Sequence, residues 1–306
     1  MLKFSFQATR ILVIPVFLLL VLSACQSTRT ATTSKLLKFN FEKGKGYDYE
    51  MDMNLDQEIL GMPAGIRMTT YYSIEVKEDD GQLKTLLARY ERFKMALDMV
   101  AMKLKVDTES PVDTSEQGGK QMEMLSRVLG AIKGKQFEMK VDAEGAIKEV
   151  KGFKEMAASI VESMELDPEK EKEVREEMKK KFGQQFNDEK IREQFASFLY
   201  IFPNKEVKVG DTWTRKGSMS GMAAGILNST YKVTDIEGDM VTLEEKSLIS
   251  AAGDDQEVSG KQEGILVVDS RNGLVVSADL QLEMKSKIGG MEIPIKGGTK
   301  IKGVAR

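Results

Sequence analysis

The sequence predicts an α+β fold: a large curved antiparallel sheet, made of two related β-meanders in a partial barrel, with a helical insertion between them. Three observations carry this expectation. Residues 36–150 and 205–304 alternate apolar and polar side chains with period two, the mark of half-buried strands. The block between them, residues 153–200, spaces its apolar residues with a helical period. Turn and strand signals of the first β block recur in the same order in the second.

The first β block opens with the clearest alternation. Tyr47, Tyr49, Met51, Met53 and Leu55 take one face, and Asp48, Glu50, Asp52, Asn54 and Asp56 the other. Gly61-Met62-Pro63-Ala64-Gly65 should break the strand. Met68, Thr70, Tyr72, Ile74 and Val76 define the next strand, and Asp79-Asp80-Gly81 turns it. A third strand runs from Leu83 through Phe93, Met95, Leu97 and Met99, with a slip in phase expected at Val100-Ala101. Met122 to Lys133 reads as a helix. A hairpin follows, turned by Asp142-Ala143-Glu144-Gly145.

The insertion should hold three helices. One runs from Phe153 to Met164. A second is capped by Asp167 with Pro168 at its first position, and its charged body carries i,i+4 Glu–Lys and Glu–Arg pairs. The third opens at Asn187 or Asp188 and buries Ile191, Phe195, Phe198 and Leu199. In the second β block, Asn272-Gly273 between apolar runs predicts a hairpin. Pro294 predicts an edge position for the last strand.

The internal repeat rests on three matches. Gly44-Lys45-Gly46-Tyr47 parallels Gly210-Asp211-Thr212-Trp213, Tyr72-x-Ile74 parallels Tyr231-x-Val233, and the turn at Asp142–Gly145 parallels that at Asp269–Gly273. If the two blocks are duplicates, they should share one sheet.

Residues 1–24 have the form of a secretory signal: Lys3 and Arg10, an apolar run from Ile11 to Leu22, then Ser23-Ala24. Leu22-Ser23-Ala24-Cys25 resembles a bacterial lipobox, and the resemblance implies cleavage before Cys25 and acylation of its thiol and new amine. Residues 25–35 would then be the lipidated cysteine and a Ser/Thr-rich tether, and 36–306 a single α+β domain. No Asp follows Cys25 to resemble an inner-membrane retention signal, so the expected address is the outer membrane, facing the periplasm. Cys25 is the only cysteine, so no disulfide is available within the chain.

The lipobox, the Lys-x-Gly strand openings, the Met-rich early strands and the segment Phe202-Pro203-Asn204-Lys205-Glu206-Val207-Lys208-Val209-Gly210-Asp211-Thr212-Trp213 together resemble an uncharacterised family of bacterial envelope lipoproteins, a domain of unknown function. The resemblance implies a signal peptide joined to a two-part β architecture. It transfers no catalytic residue.

A formal charge of −3 without a basic patch argues against nucleic acid as a partner. No histidine occurs, which removes the commonest general base and the commonest transition-metal ligand. No cofactor or metal site is expected, and no enzymatic activity. Ser229-x-x-Lys232 begins on a strand rather than a helix, so it lacks the geometry of a serine–lysine pair.

The methionines, 19 in all, form the one suggestive constellation. Met51, Met53, Met68, Met95 and Met99 lie on the inward phase of predicted strands. Methionine suits adaptable apolar surfaces, and a sheet lined with it can hold an acyl chain. The same residues fit a Met-rich core without a ligand. The expected role is a lipid-anchored periplasmic protein, held to the membrane through acyl chains on Cys25, that binds a hydrophobic ligand or supports an envelope process. The alternative is a protein-interaction or scaffolding module without a ligand, its protein partner unknown.

Overall fold

The period-two runs become long strands because each carries one apolar face to bury. The structure, a computed structural model, describes residues 33–59, 61–99, 102–111, 119–162, 172, 175–177, 179–180, 187–219, 225–251, 257–288 and 291–306. Cys25, the signal segment, the Asp167-Pro168 helix start and the expected slip at Val100-Ala101 lie outside the described residues, as do the turns at 252–255 and 289–290. Of the charged second helix, residues 172, 175–177 and 179–180 are helical.

The first meander comprises β2 (Gly46–Ile59), β3 (Met62–Asp79), β4 (Lys84–Met99), β5 (Met102–Asp107), β6 (Gln136–Val141) and β7 (Ile147–Lys151). The second comprises β9 (Thr212–Met219), β10 (Gly225–Glu237), β11 (Met240–Ala251), β12 (Glu257–Asp269), β13 (Leu274–Ile288) and β14 (Met291–Ala305). They form one 12-stranded sheet in the order β7-β6-β4-β3-β2-β14-β13-β12-β11-β10-β9, with β5 on β4. The antiparallel pair β14–β2 joins the halves, with Ile301 opposite Met51 and Thr299 opposite Met53. The expected shared sheet is therefore present. Two short strands, β1 (Lys35–Leu37) and β8 (Lys205–Val207), pair with each other outside it, so Lys35 lies in a strand.

The strand openings of the two meanders bond alike. The Gly44 N–H donates to the Val76 carbonyl at 2.9 Å, and the Val76 N–H to the Lys45 carbonyl at 3.1 Å. Gly210 and Asp211 make the same two bonds with Val233, at 2.8 and 2.9 Å. The equivalent of Val233 is thus Val76, two residues on from the Ile74 that the sequence pattern suggests.

Two local expectations are corrected and a third is refined. Pro294 lies on a central strand, not an edge. Pairing of β14 with β2 begins only at Ile295, so the missing N–H of Pro294 falls just outside the ladder. Pro63 likewise stands inside β3 rather than in a break, one residue before the ladder to β4 begins at Ala64. The Asn272-Gly273 hairpin forms, but its turn is organised by Asp269, whose carboxylate accepts from the Arg271 N–H at 3.0 Å and whose carbonyl accepts from the Gly273 N–H at 2.8 Å.

A further shift of phase falls on β4. Tyr72 pairs with Tyr90 and Tyr71 with Arg92, which leaves Glu91 as a bulge. Tyr90 and Phe93 are consequently both buried. Below the bulge β4 pairs with β6, and above it with β5. Arg92 clamps β5 with bonds of 2.9 and 2.6 Å to Asp107, and the guanidinium holds that carboxyl down at about 2.

Helix α1 (Gly119–Ile132) packs on β5 and β4, and α2 (Phe153–Glu162) on β6. Helix α3 (Asp188–Leu199) is capped by Asn187, whose side chain accepts from the Lys190 N–H at 3.0 Å. It touches both β7 and β9, the two terminal strands of the sheet. Its Phe195 and Phe198 meet the rings of Tyr72 and Tyr49, with centroids 5.5 to 6.0 Å apart. The chain leaving α3 ties the edges together. Trp213 of β9 donates its indole N–H to the Ile201 carbonyl at 2.7 Å, and Arg215 lies 3.4 Å from Glu144 in the β6–β7 turn. Gly145 in that turn, at φ +85°, is so close to α3 that a Cβ would stand 1.7 Å from the Leu199 carbonyl oxygen.

Curvature depends on close strand crossing as well. A Cβ on Gly264 of β12 would lie 2.0 Å from the Asp279 carbonyl oxygen of β13, whereas one on Gly217 would meet nothing within 4 Å. Gly264→Ala is expected to lower unfolding free energy by about 1–3 kcal/mol in urea titration, the range for overpacking. Gly217→Ala should stay within about 0.5 kcal/mol of the parent. Equal midpoints for the two variants would show that β12 and β13 do not cross so closely.

Candidate functional site

The inner face of the sheet is filled near the helices and thins out away from them. Tyr49, Tyr72 and Tyr90 are buried at the helical end. The Tyr49 and Tyr72 hydroxyls find no hydrogen-bond partner among the described residues, and burial raises both above the usual phenol range. One step along the strands, Met51 sits opposite Thr70 and Ile301 and packs against the main core.

The next step brings three of the five predicted methionines together. Met53 of β2 is directly opposite Met68 of β3, which is directly opposite Met95 of β4. Such neighbours have Cβ atoms about 5 Å apart. All three are only half-buried. Leu55, Ile66 and Leu97 repeat the arrangement one step further on, also half-buried. Met99 is not part of this row: it pairs with Ala64 near the tip of β4 and is 37 % exposed. A second apolar cluster, Ile249, Val258, Met284 and Ile295, with Leu55, Leu227 and Leu282 against it, stands apart from the main core.

Across the sheet the inner face turns polar. Arg215, Ser229, Ser247 and Gln262 are successive cross-strand partners on β9, β10, β11 and β12. The same row continues through Leu282, Gly297, Leu55, Ile66, Leu97 and Leu104. One line of residues across ten strands is thus polar for four and, apart from one glycine, aliphatic for the rest.

Glu245 stands beside the polar part, opposite Tyr231, and is 2 % exposed. Its Oε1 accepts from Ser247 Oγ at 2.6 Å and from Gln262 Nε2 at 3.1 Å. Ser247 Oγ also lies 2.7 Å from Ser229 Oγ. A hydroxyl has one proton, so when Ser247 donates to the carboxylate it accepts from Ser229. Burial pushes the Glu245 carboxyl up, the two hydrogen bonds offset this in part, and no cation among the described residues contributes. Burial and the Glu245 charge also raise the Tyr231 hydroxyl.

Sequence reasoning missed Glu245, Ser247 and Gln262. The signal lay in the inward phase of β11, where Val241, Leu243 and Ile249 are interrupted by Glu245 and Ser247. Among the described residues no group of three or more Cys, Asp or Glu is placed to hold a metal ion, and no helix is long and apolar enough to cross a membrane. A shallow depression of about 660 Å³ is lined by Arg89, Lys135, Gln136 and Glu155, among others. Another of about 620 Å³ lies over Lys232, Glu244, Lys246, Leu248 and Lys261 and reaches Ser247 and Gln262.

A buried carboxyl with a raised pKa favours the folded state most when it is protonated. Its contribution is full below the ordinary glutamate range and fades as pH rises through the folded-state value. Glu245→Gln keeps the acceptor oxygen and removes the charge. It is expected to raise Tm at pH 8, with the gain shrinking toward pH 4 in a calorimetric series. A gain independent of pH, or a loss at pH 8, would contradict the burial of an unpaired carboxyl here.

No curated protein matches the chain. Among solved structures, one titled for lipid–protein interactions in lipovitellin aligns at a TM-score of 0.49 and 11 % identity, over 87 % of this chain and 26 % of that one. The chain therefore spans about a quarter of that protein. OpdQ of Pseudomonas aeruginosa aligns at a TM-score of 0.13 and 8 % identity, over 81 % of this chain and 64 % of that one. A family model described as a family of unknown function (DUF6263) matches residues 81–275, a span that runs from the β3–β4 turn into β13 and holds Met95, Arg215 and Glu245. With more than half of its residues matched, the chain belongs to DUF6263.

Proposed function

We propose that this protein is a lipid-anchored, non-enzymatic envelope protein that holds a hydrophobic ligand on the inner face of its sheet. The observation that carries the reading is the cross-strand row Met53–Met68–Met95 with its neighbours Leu55, Ile66 and Leu97, all half-exposed on the inward side. Full burial of each such side chain would contribute about 1.5–3 kcal/mol. Met95 and Leu97 pack partly against the main core and Leu55 against the second cluster, but a fold that leaves six adjacent side chains half-exposed forgoes part of that contribution, and a bound apolar chain restores it. Methionine suits the task because its unbranched thioether adapts to ligands of different shape.

The membrane half of the proposal rests on residues 1–25. Acylation at Cys25 after cleavage would hold the domain at the outer membrane, facing the periplasm. Each buried CH₂ of the acyl chains adds about 0.8 kcal/mol, and more than one chain makes the attachment durable. A chain without histidine, with its single thiol so engaged, lacks the commonest general base and a free thiol nucleophile.

N-phenyl-1-naphthylamine, a probe that brightens in apolar surroundings, should bind the purified chain. Met68→Glu should weaken that binding by about tenfold or more, a loss of about 1.4 kcal/mol. Unchanged binding by Met68→Glu, or none by the parent, would remove the inner face as a ligand site. Separately, Cys25→Ser should abolish incorporation of radiolabelled palmitate in cells and release the protein from the membrane fraction. Continued labelling would refute acylation at Cys25.

A further inference from the structure

Glu245 is the least compensated charge on the inner face. It is 2 % exposed, its Oε1 accepts from two neutral donors, Ser247 and Gln262, and no cation contributes to its environment among the described residues. The nearest candidate by register, Arg215, turns its Nη2 to Glu144 and the Phe202 carbonyl and its guanidinium over the ring of Tyr200; its buried Nε finds no partner among the described residues and does not reach Glu245. A buried carboxylate needs a partner of opposite charge or a strong donor, and among the described residues neither a lysine nor an arginine is bonded to it.

The aliphatic row begins immediately beside this polar group, since Gln262 is directly opposite Leu282. From Gln262 on β12 to Leu97 on β4 the row crosses five strand spacings, about 24 Å along the sheet at roughly 4.8 Å each. That is the reach of one extended long acyl chain, running across the strands rather than along them.

Building on the ligand-binding reading above, we infer that the ligand is a single-chain amphiphile whose head group is an amine, placed at Glu245 with its tail over Leu282, Leu55, Ile66 and Leu97. The ammonium donates to the Glu245 carboxylate in place of Gln262, and Ser229 and Ser247 offer it further acceptor oxygens. An anionic head would meet the carboxylate as a like charge, and a hydroxyl head would satisfy the hydrogen bond but not the charge.

Displacement of N-phenyl-1-naphthylamine from the full purified chain tests this with three probes of equal chain length: hexadecylamine, hexadecanol and palmitic acid. Hexadecylamine is expected to displace the reporter at a concentration about tenfold below that of palmitic acid. Glu245→Gln should erase that preference, bringing the displacing concentrations of hexadecylamine and palmitic acid to within about twofold of each other. Circular dichroism verifies that the variant is folded, and Leu248→Ala, exposed on the opposite face of β11, should retain the preference for the amine. Palmitic acid binding as well as the amine, or a preference that survives Glu245→Gln, would overturn the head-group assignment and leave the hydrophobic site standing. Failure of all three probes to displace the reporter would overturn both.

Discussion

A sheet that curves through twelve strands without closing must do something with its two terminal strands. Each presents unpaired N–H and C=O groups that would otherwise recruit another chain. Here β7 and β9 are both covered by α3, and the segment after it, Tyr200 to Phe202, is held by Trp213 and Arg215 from one side and by the β6–β7 turn from the other. The aromatic side chains of α3 reach past the seam onto Tyr49 and Tyr72 in the middle of the sheet. The helix therefore takes the place of the strand pairing that would complete a barrel. Its cap, its close turns and its packing form one connected arrangement.

Closure is concentrated at one end. The turns at Asp142–Gly145 and Asp269–Gly273 both meet the segment around Phe39 and Asn40, whose N–H groups donate to Ala143 at 2.9 Å and to Asn272 at 2.8 Å. Aromatic rings fill the space between. Toward the other end the strands run on past the helices, and side chains that continue the same inward phase are covered less and less: Tyr49 is buried, Met53 and Leu55 are half-buried. The gradient from filled core to open face follows from strands that are longer than the helices packed on them.

The same geometry explains the buried polar group. On a flat sheet an inward Glu245 would be solvated. On this one the curvature of β10 to β13, helped by the close crossing at Gly264, folds the strip inward so that Glu245, Ser229 and Ser247 are all buried. Hydrogen bonds among them offset part of the desolvation cost, and the remaining imbalance is the charge itself.

By itself the sequence determined what is local. Alternation assigned Tyr49, Met53, Met68 and Met95 to one face, because successive side chains on a strand point to opposite sides whatever lies beside them. Asn187 or Asp188 marked the start of α3, and Gly145 and Gly273 marked turns, because caps and turns are satisfied within a few residues. Tertiary structure alone decided who neighbours whom. Period two names a face but no partner, so the pairing of β14 with β2 and the register that lines up Met53, Met68 and Met95 could not be read from either strand. For the same reason Pro294 signalled an edge but lies on a central strand, just beyond the end of one ladder. Glu245 and Ser247 interrupted an apolar phase in plain view. Only the curvature of β10 to β13 turned that interruption into a buried carboxyl, and only the pairing of β14 with β2 placed it at the end of an aliphatic row.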